Sequence, residues 1–275
     1  MSVCKLSVVM ITKNEQERIA QAIQSCQSIA DEIVILDSGS TDQTVTIAGK
    51  LGCEVVFHPW EGFAKQRNVG ADHAMHDWIF VIDADEWLDE TLQQAIKDWK
   101  AQPHDPKLVY SVYRIGNFLG SWLHRGERLL RLYHKRHHQF TETPVHEVID
   151  AAKSEIRTLE GVLMHDGFRS IQDHVRRFNM YTDLDARKAH DSKGKFRTHR
   201  LLWRPPAKFI QKYVMHKLFM SGLAGLSVSI FWAYYEFLKQ LKWYELEWQR
   251  KQERRTSLLP PASSVIPSVR KGMEE

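Results

Sequence analysis

Trp78-Ile79-Phe80-Val81-Ile82-Asp83-Ala84-Asp85-Glu86 runs an unbroken apolar stretch directly into three carboxylates. Apolar residues without polar alternation predict a strand buried on both faces, as a parallel sheet covered by helices requires. Asp83 and Asp85 are two residues apart. Continued extension would turn both to one side of the backbone, where hard oxygen ligands can share a divalent cation and that cation can clamp a diphosphate. Alone, Asp-x-Asp is a weak motif and fits a solvated strand end better. The segments upstream decide between these readings.

Lys5 to Thr12 (KLSVVMIT) is a β-branched apolar run and predicts a buried first strand. It ends at Lys13-Asn14-Glu15, at the carboxyl edge where open α/β sheets bind ligands. From Gln16 to Ile29, apolar Ile19, Ala22, Ile23, Cys26 and Ile29 keep helical spacing. Glu32 to Leu36 predicts a second strand that also meets an acid, Asp37. Strand, helix, strand in this order predicts a right-handed parallel crossover. In Asp37-Ser38-Gly39-Ser40-Thr41-Asp42-Gln43-Thr44, Gly39 permits a tight turn and the hydroxyl and acidic residues suit the cap of a helix through about Leu51. Glu54 to Phe57 predicts a third strand. Trp60, Lys65, Arg67 and Asn68 follow near the start of a helix through His76, and a basic group there can face a phosphate.

The 275 residues carry a formal net charge of +4, distributed unevenly. Residues 1–168 hold 17 Lys+Arg against 24 Asp+Glu, net −7, whereas residues 169–258 hold 19 against 8, net +11. An acidic head and a basic back half imply a second surface with its own anionic partner. The three cysteines, Cys4, Cys26 and Cys53, have no metal-ligand spacing and read as reduced thiols in a cytosolic protein. No basic region followed by an apolar run opens the sequence, which predicts no signal peptide and an intracellular catalytic part.

Taken together, VVMITKNE, IVILDSGSTDQT, WEGFAKQRN and IFVIDADEW resemble, in this order and spacing, the inverting nucleotide-sugar glycosyltransferases of family 2, with the GT-A fold. The resemblance is dense over residues 5–90 and thinner to about 250. It is strongest to the bacterial lipopolysaccharide-core enzymes that add β-1,4-linked glucose to inner-core heptose. It implies an α/β fold with a mostly parallel nucleotide-sugar-binding sheet, a UDP-sugar donor and a divalent cation, Mg2+ or Mn2+. It marks Asp37 as the uracil contact, Glu15 as a ribose contact, and Lys65, Arg67 and Asn68 as diphosphate or base-side contacts. Thr12, Asn14, Ser38, Gly39 and Ala84 complete the donor cradle. Asp83 is shared between ribose and metal, with Asp85 the direct metal ligand and His165 joining them. Glu147, in Val145-His146-Glu147, matches the family's acidic motif and is the candidate base, with His146 orienting it and Glu142 and Asp166 as alternatives.

Further along, Leu108 to Arg114 alternates like a half-exposed strand. Arg125, Arg128 and Arg131 recur at spacing three, which suits one helical face, an anionic acceptor or an ordinary surface. Gly167 to Lys195 reads as a helix, Pro205-Pro206 as a break, and Ala207 to Glu253 as two long helices rich in Trp and Tyr. Leu218 to Tyr235 is eighteen residues without charge, flanked by His216, Lys217, Lys239 and Lys242. That is short for a span and suits an interfacial helix pair on the inner face of a bacterial inner membrane, or packing against the catalytic part or a second subunit. The division expected is a catalytic domain over 1–168, a basic aromatic helical region over 169–256 and a flexible tail over 257–275. A lipid-linked saccharide is the acceptor this organisation suits. A polyprenyl phosphate acceptor, or a non-catalytic nucleotide-sugar binder, are the rivals. Nucleic acid is excluded for want of any recognition motif.

Overall fold

The computed structural model describes residues 4–141, 148–168, 170–192 and 196–257. β1 (Leu6–Thr12) is buried at every residue, as its uninterrupted apolar pattern requires. It lies between β2 (Glu32–Asp37) and β4 (Trp78–Asp83), parallel to both, and β3 (Glu54–Phe57) extends the parallel sheet beyond β2. The crossovers are α1 (Ile19–Cys26), α2 (Thr44–Lys50) and α3 (Phe63–His73). Register aligns Thr12 with Asp37 and Ile11 with Asp83, so the polar ends of three separate apolar runs meet at one edge of the sheet.

Beyond β4 the sheet becomes mixed. β5 (Glu86–Leu88), β6 (Val109–Phe118), β8 (Glu127–His134) and β9 (Ile156–His165) complete the order β3-β2-β1-β4-β8-β6-β9-β5, and a short β7 (Ser121–Trp122) pairs with β6. One core fills the side facing α1 and α4 (Glu90–Lys100), with Phe80, Ile82, Leu92 and Leu132 among its buried members. A second lies toward α3, around Val9, Ile79, Val81 and Tyr133. Asp89 caps α4 by accepting from the Leu92 amide at 2.8 Å and takes the Val162 amide at 3.0 Å. One carboxylate oxygen thereby ties helix to strand.

Three expectations are corrected here. Leu108 to Arg114 is not half-exposed: β6 sits between β8 and β9, and Val109 to Val112 are all buried. The alternation reflects two covered faces, one of which accommodates Tyr and Ser. Glu127 to His134 is a strand rather than a helix, and on a strand a spacing of three places residues on opposite faces. Arg131 is accordingly 3% exposed while Arg128 is exposed. Pro205 and Pro206 lie inside α6 (His199–Ile210) and do not break it. A proline removes the amide that would serve the carbonyl four residues back. Here those are Leu201 and Leu202, on a helix with no buried residue where water can take the donor's place. The helix then loosens into a π turn at Gln211–Met215 and a 3-10 turn at Leu218–Ser221, before α7 (Gly222–Ser257).

α5 (Ile171–Asp191), α6 and α7 pack together, and Phe118 of β6 anchors them to the sheet through Phe168 and Phe231, with ring centroids 4.2 and 6.0 Å away. His174 sits in this aromatic cluster, 4.2 Å from the Phe178 ring and 4.7 Å from that of Phe231. Burial first, and then Arg177, push its pKa down to about 4, against a small opposing pull from Asp173. Unfolding restores an ordinary imidazole, so the unfolded chain takes up a proton between about pH 6.5 and 4 that the native chain resists. Stability from this site is therefore full above pH 6.5 and falls as the pH drops toward 4. Thermal melts across that window should show the decline in the wild type and a flatter profile in His174→Phe; equal slopes would refute the assignment.

Candidate active site

The carboxyl edge of the parallel strands is stitched by side chains from two loops. Asn14 adopts a positive φ of 55°. Its amide donates to Ser40 Oγ at 2.9 Å and its Oδ1 accepts from the Thr41 amide at 2.8 Å, while the Glu15 amide donates to Thr44 Oγ1 at 2.8 Å. Asp37, buried, folds the turn behind it. Its Oδ2 accepts from the Gly39 and Ser40 amides at 2.8 and 2.9 Å, and its Oδ1 accepts from Ser40 Oγ at 2.5 Å. Beneath this turn Gln66, fully buried, donates to Ser38 Oγ at 2.6 Å and to the His58 carbonyl at 3.1 Å. The Thr12 hydroxyl is buried at the same edge and finds no partner among the described residues.

The end of β4 does not stay extended. The chain turns at Ala84 and Asp85 before β5, so Asp83 and Asp85 face different partners instead of sharing one side. Asp83 accepts from Arg67 Nη2 at 2.7 Å and lies 3.4 Å from Arg131 Nη2. Burial opposes its ionisation, but Arg67, Arg131 and then Arg114 hold its carboxyl well below the usual carboxylate range. Glu86 is wholly buried beneath the turn. It accepts from Arg131 at 2.7 and 2.9 Å, from Arg114 at 2.8 Å and from the Asp83 amide at 3.1 Å. Arg114 also pairs with Glu127.

Asp85 instead meets His165, Oδ2 to Nε2 at 3.5 Å. Antiparallel pairing of β5 with β9 sets Glu86 opposite His165, and the Asp166 amide donates to the Asp85 carbonyl at 3.0 Å. Burial would raise the Asp85 carboxyl, yet the adjacent imidazole holds it low; burial would lower His165, yet Asp85 holds it high. Arg18 closes the rim, 3.3 Å from Asp166 and 3.5 Å from Glu15.

Two polar strand-end loops, a half-buried Asp-x-Asp turn and an imidazole from a distant strand thus meet at one sheet edge, and the model of the family described as Glycosyl transferase family 2 matches residues 7–159. The chain belongs to this family. It is a glycosyltransferase of the GT-A fold. A glycosyltransferase of Rickettsia typhi is 32% identical over 255 residues, covering 88% of this chain and 87% of its own. The lipopolysaccharide core biosynthesis glycosyltransferase LpsC of Rhizobium meliloti is 28% identical over 249 residues, covering 87% and 92%. Among solved structures, S. aureus TarS overlaps 90% of this chain and 92% of that chain at 14% identity and a TM-score of 0.43.

In this glycosyltransferase most residues singled out from the sequence gather at the edge just described: Thr12, Asn14, Glu15, Asp37, Ser38, Gly39, Arg67, Asp83, Ala84, Asp85 and His165. Lys65 is on the same helix as Arg67 but exposed. Asn68 turns the other way, donating to the Phe140 carbonyl and accepting the Phe140 amide, both at 2.9 Å. Its amide group pins Phe140, which lies just ahead of the acidic motif in sequence and bridges to Ile149. Glu142, His146 and Glu147 lie outside the described residues. Sequence reading missed Glu86 as a structural acid with Arg114 and Arg131 as its partners, and missed Arg18 and Gln66 elsewhere along the edge. Only the run of three acids at 83–86 hinted at them, since buried carboxylates need cationic partners.

A divalent cation is tested by the donors present. Among the described residues no three His, Cys, Asp or Glu side chains form a cluster that could hold a metal, because Asp83 is committed to guanidinium groups. Asp85 and His165 do converge, as one hard and one borderline donor. A Cβ on Gly167 would stand 2.3 Å from His165 Nε2 and 3.2 Å from Asp85 Oδ2. Glycine leaves that space open beside both donors, which fits a two-ligand site completed by a substrate diphosphate.

Proposed function

We propose that this enzyme transfers glucose from UDP-glucose, with inversion, to an inner-core heptose of a lipopolysaccharide precursor. The observation that carries this reading is the division of labour at the Asp-x-Asp turn, where Asp83 is held ionised by Arg67 and Arg131 while Asp85 faces His165 and open space. Asp37 Oδ1 accepts one hydrogen bond in its turn and retains a lone pair for the N3–H of uracil. Glu15 and Asp83 are the ribose contacts in this reading. Lys65 and Arg67 supply positive charge for the diphosphate. Asp85 and His165 would hold Mg2+ or Mn2+, whose charge offsets that building on the departing diphosphate.

The acceptor hydroxyl attacks the anomeric carbon on the face opposite the diphosphate. The C–O bond to UDP breaks as the new C–O bond forms, and the hydroxyl proton passes to a carboxylate, Glu147 in this reading. An α-linked donor then yields a β-linked product without a covalent intermediate. The similarity to LpsC, a lipopolysaccharide core biosynthesis glycosyltransferase, supports the acceptor class.

α7 supports a membrane-surface location. It belongs to the one helical stretch among the described residues, Leu218–Glu253, long and apolar enough by length and composition to cross a membrane. Tyr235, Glu236, Gln240 and Trp243 are buried against the protein. Phe219, Met220, Leu223, Ile230 and Trp248 stay at least half exposed. A helix with one face on protein and an apolar, basic-flanked face outward lies along an anionic bilayer.

The test is UDP release from a panel of UDP-sugars, with and without heptose-containing core lipopolysaccharide and with Mn2+ or Mg2+ supplied. Core-dependent turnover of UDP-glucose above the other donors is expected. If UDP binds normally yet no core supports turnover, the acceptor assignment fails and a polyprenyl phosphate or a non-catalytic role takes its place.

A further inference from the structure

A half-open cavity of about 590 Å³ lies between the loop joining β7 to β8 and the turns that link α6 to α7. Its wall carries His124, Arg125 and Arg128 from the first side and His216 and Lys217 from the second. Glu127 is the one acid in the lining, and it is already paired with Arg114. The positive charge there is otherwise unbalanced. Burial, Lys212, Arg125 and Lys208 together hold the His216 imidazole below its ordinary pKa, as expected where several cations converge without an anion.

The cavity is built, since its two walls are fixed by close contacts. The His124 amide donates to Ser221 Oγ at 2.7 Å, and the Gly126 amide donates to Tyr113 Oη at 2.7 Å. A Cβ on Gly126 would stand 1.8 Å from the Arg114 carbonyl oxygen, so the loop can lie this close only with glycine. Arg128 packs over the Tyr113 ring at 5.7 Å. Lys217 holds a positive φ of 56°, a conformation strained for a side-chain-bearing residue and one that collects at ligand clamps. Glu127 in its lining joins the candidate active site through the ion pairs Glu127–Arg114–Glu86–Arg131–Asp83, so the cavity and the Asp-x-Asp turn belong to one charged network.

We propose that this cavity binds an oxyanion, phosphate or carboxylate, carried by the acceptor saccharide, and that Arg125, Arg128 and Lys217 determine acceptor specificity through it. Guanidinium forks and an ammonium suit such a group, and a neutral sugar would leave them uncompensated. The proposal deepens the acceptor reading above and rests on it.

Two measurements separate the proposal from that reading. In enzyme saturated with UDP, the NMR signals of His124 and His216 are followed while glucose 6-phosphate, glucuronate or glucose is added. An anionic sugar should shift both signals, glucose should not, and Arg125→Ala/Arg128→Ala should abolish the shift. Indifference to both anions, or an equal response to glucose, overturns the proposal whether or not any core is turned over. The second measurement is the acceptor KM on soluble core saccharide that is intact, phosphatase-treated or carboxyl-reduced. One treatment should raise the wild-type KM at least about tenfold, the worth of one lost charge-assisted hydrogen bond or more. The double variant, and Lys217→Gln in lesser degree, should show that rise on intact saccharide, with UDP affinity retained and no further rise after treatment. A variant that still discriminates treated from intact saccharide overturns the proposal. So does one that loses binding only to phosphatidylglycerol vesicles, which would assign the cavity to a lipid headgroup. Failure of every core in the wild type sinks the acceptor reading alone, and the NMR titration then decides the cavity.

Discussion

Asp85→Ala is expected to lower core-dependent UDP release by about a thousandfold or more, with a melting temperature within a few degrees of the wild type. The side chain touches His165 at 3.5 Å and none of the buried guanidinium groups that hold the turn. Its loss therefore removes a ligand without opening the core. Stabilising the charge on a leaving diphosphate is worth several kcal/mol, and each 1.36 kcal/mol is a factor of ten in rate. His165→Ala should follow in the same direction by a smaller factor, because one carboxylate remains. Calorimetry of Mn2+ with UDP present gives a second readout: the ion's contribution to UDP affinity should vanish in Asp85→Ala. Turnover within tenfold of wild type, or unchanged Mn2+ dependence, would remove Asp85 from the metal role.

Glu86→Ala should act on stability instead. Its carboxylate is wholly buried and receives Arg131, Arg114 and the Asp83 amide. Deleting it strands two cations in a region they entered only as partners. Removing one member of a buried ion pair costs about 3–5 kcal/mol, which for a chain of this size corresponds to a fall in melting temperature on the order of 10 °C. Breaking a pair differs from replacing it. Glu86→Leu combined with Arg131→Met should recover much of the loss while leaving Asp83 with Arg67 alone. Chemical unfolding of the three proteins measures both effects. A single variant as stable as wild type would mean that water reaches the cluster. A double variant no better than the single would mean that Arg114 bears most of the uncompensated charge.

In the proposed mechanism the Asp-x-Asp pair performs two tasks. Asp83 is bound into a network of guanidinium groups, and Asp85, beside His165, is left to serve the metal. Conserving charge at 83 and at 85 is therefore predicted to matter for different reasons, orientation at the first and leaving-group stabilisation at the second.

What the sequence alone determined is what is local along the chain. The apolar runs 6–12, 32–37 and 78–83 specify buried strands by themselves. Each ends in polar residues, so parallel pairing had to bring Asn14, Asp37 and Asp83 to one edge. The candidates the resemblance marks at 12–15, 37–39 and 83–84 lie within a few residues of the strands that place them. Tertiary structure decided the partners. Whether Arg131 points into the core or outward depends on its being on a strand, and an arginine at spacing three is compatible with either element until pairing with β4 and β6 is formed. His165 reaches Asp85 from eighty residues away only because β9 pairs with β5 in one register. Arg125 and Arg131, six residues apart, end in an open cavity and in a buried ion pair respectively. A chain's hydrophobic periodicity fixes which elements form and which faces are covered. The meeting of charges across the sheet is set by strand order and register, which no single segment encodes.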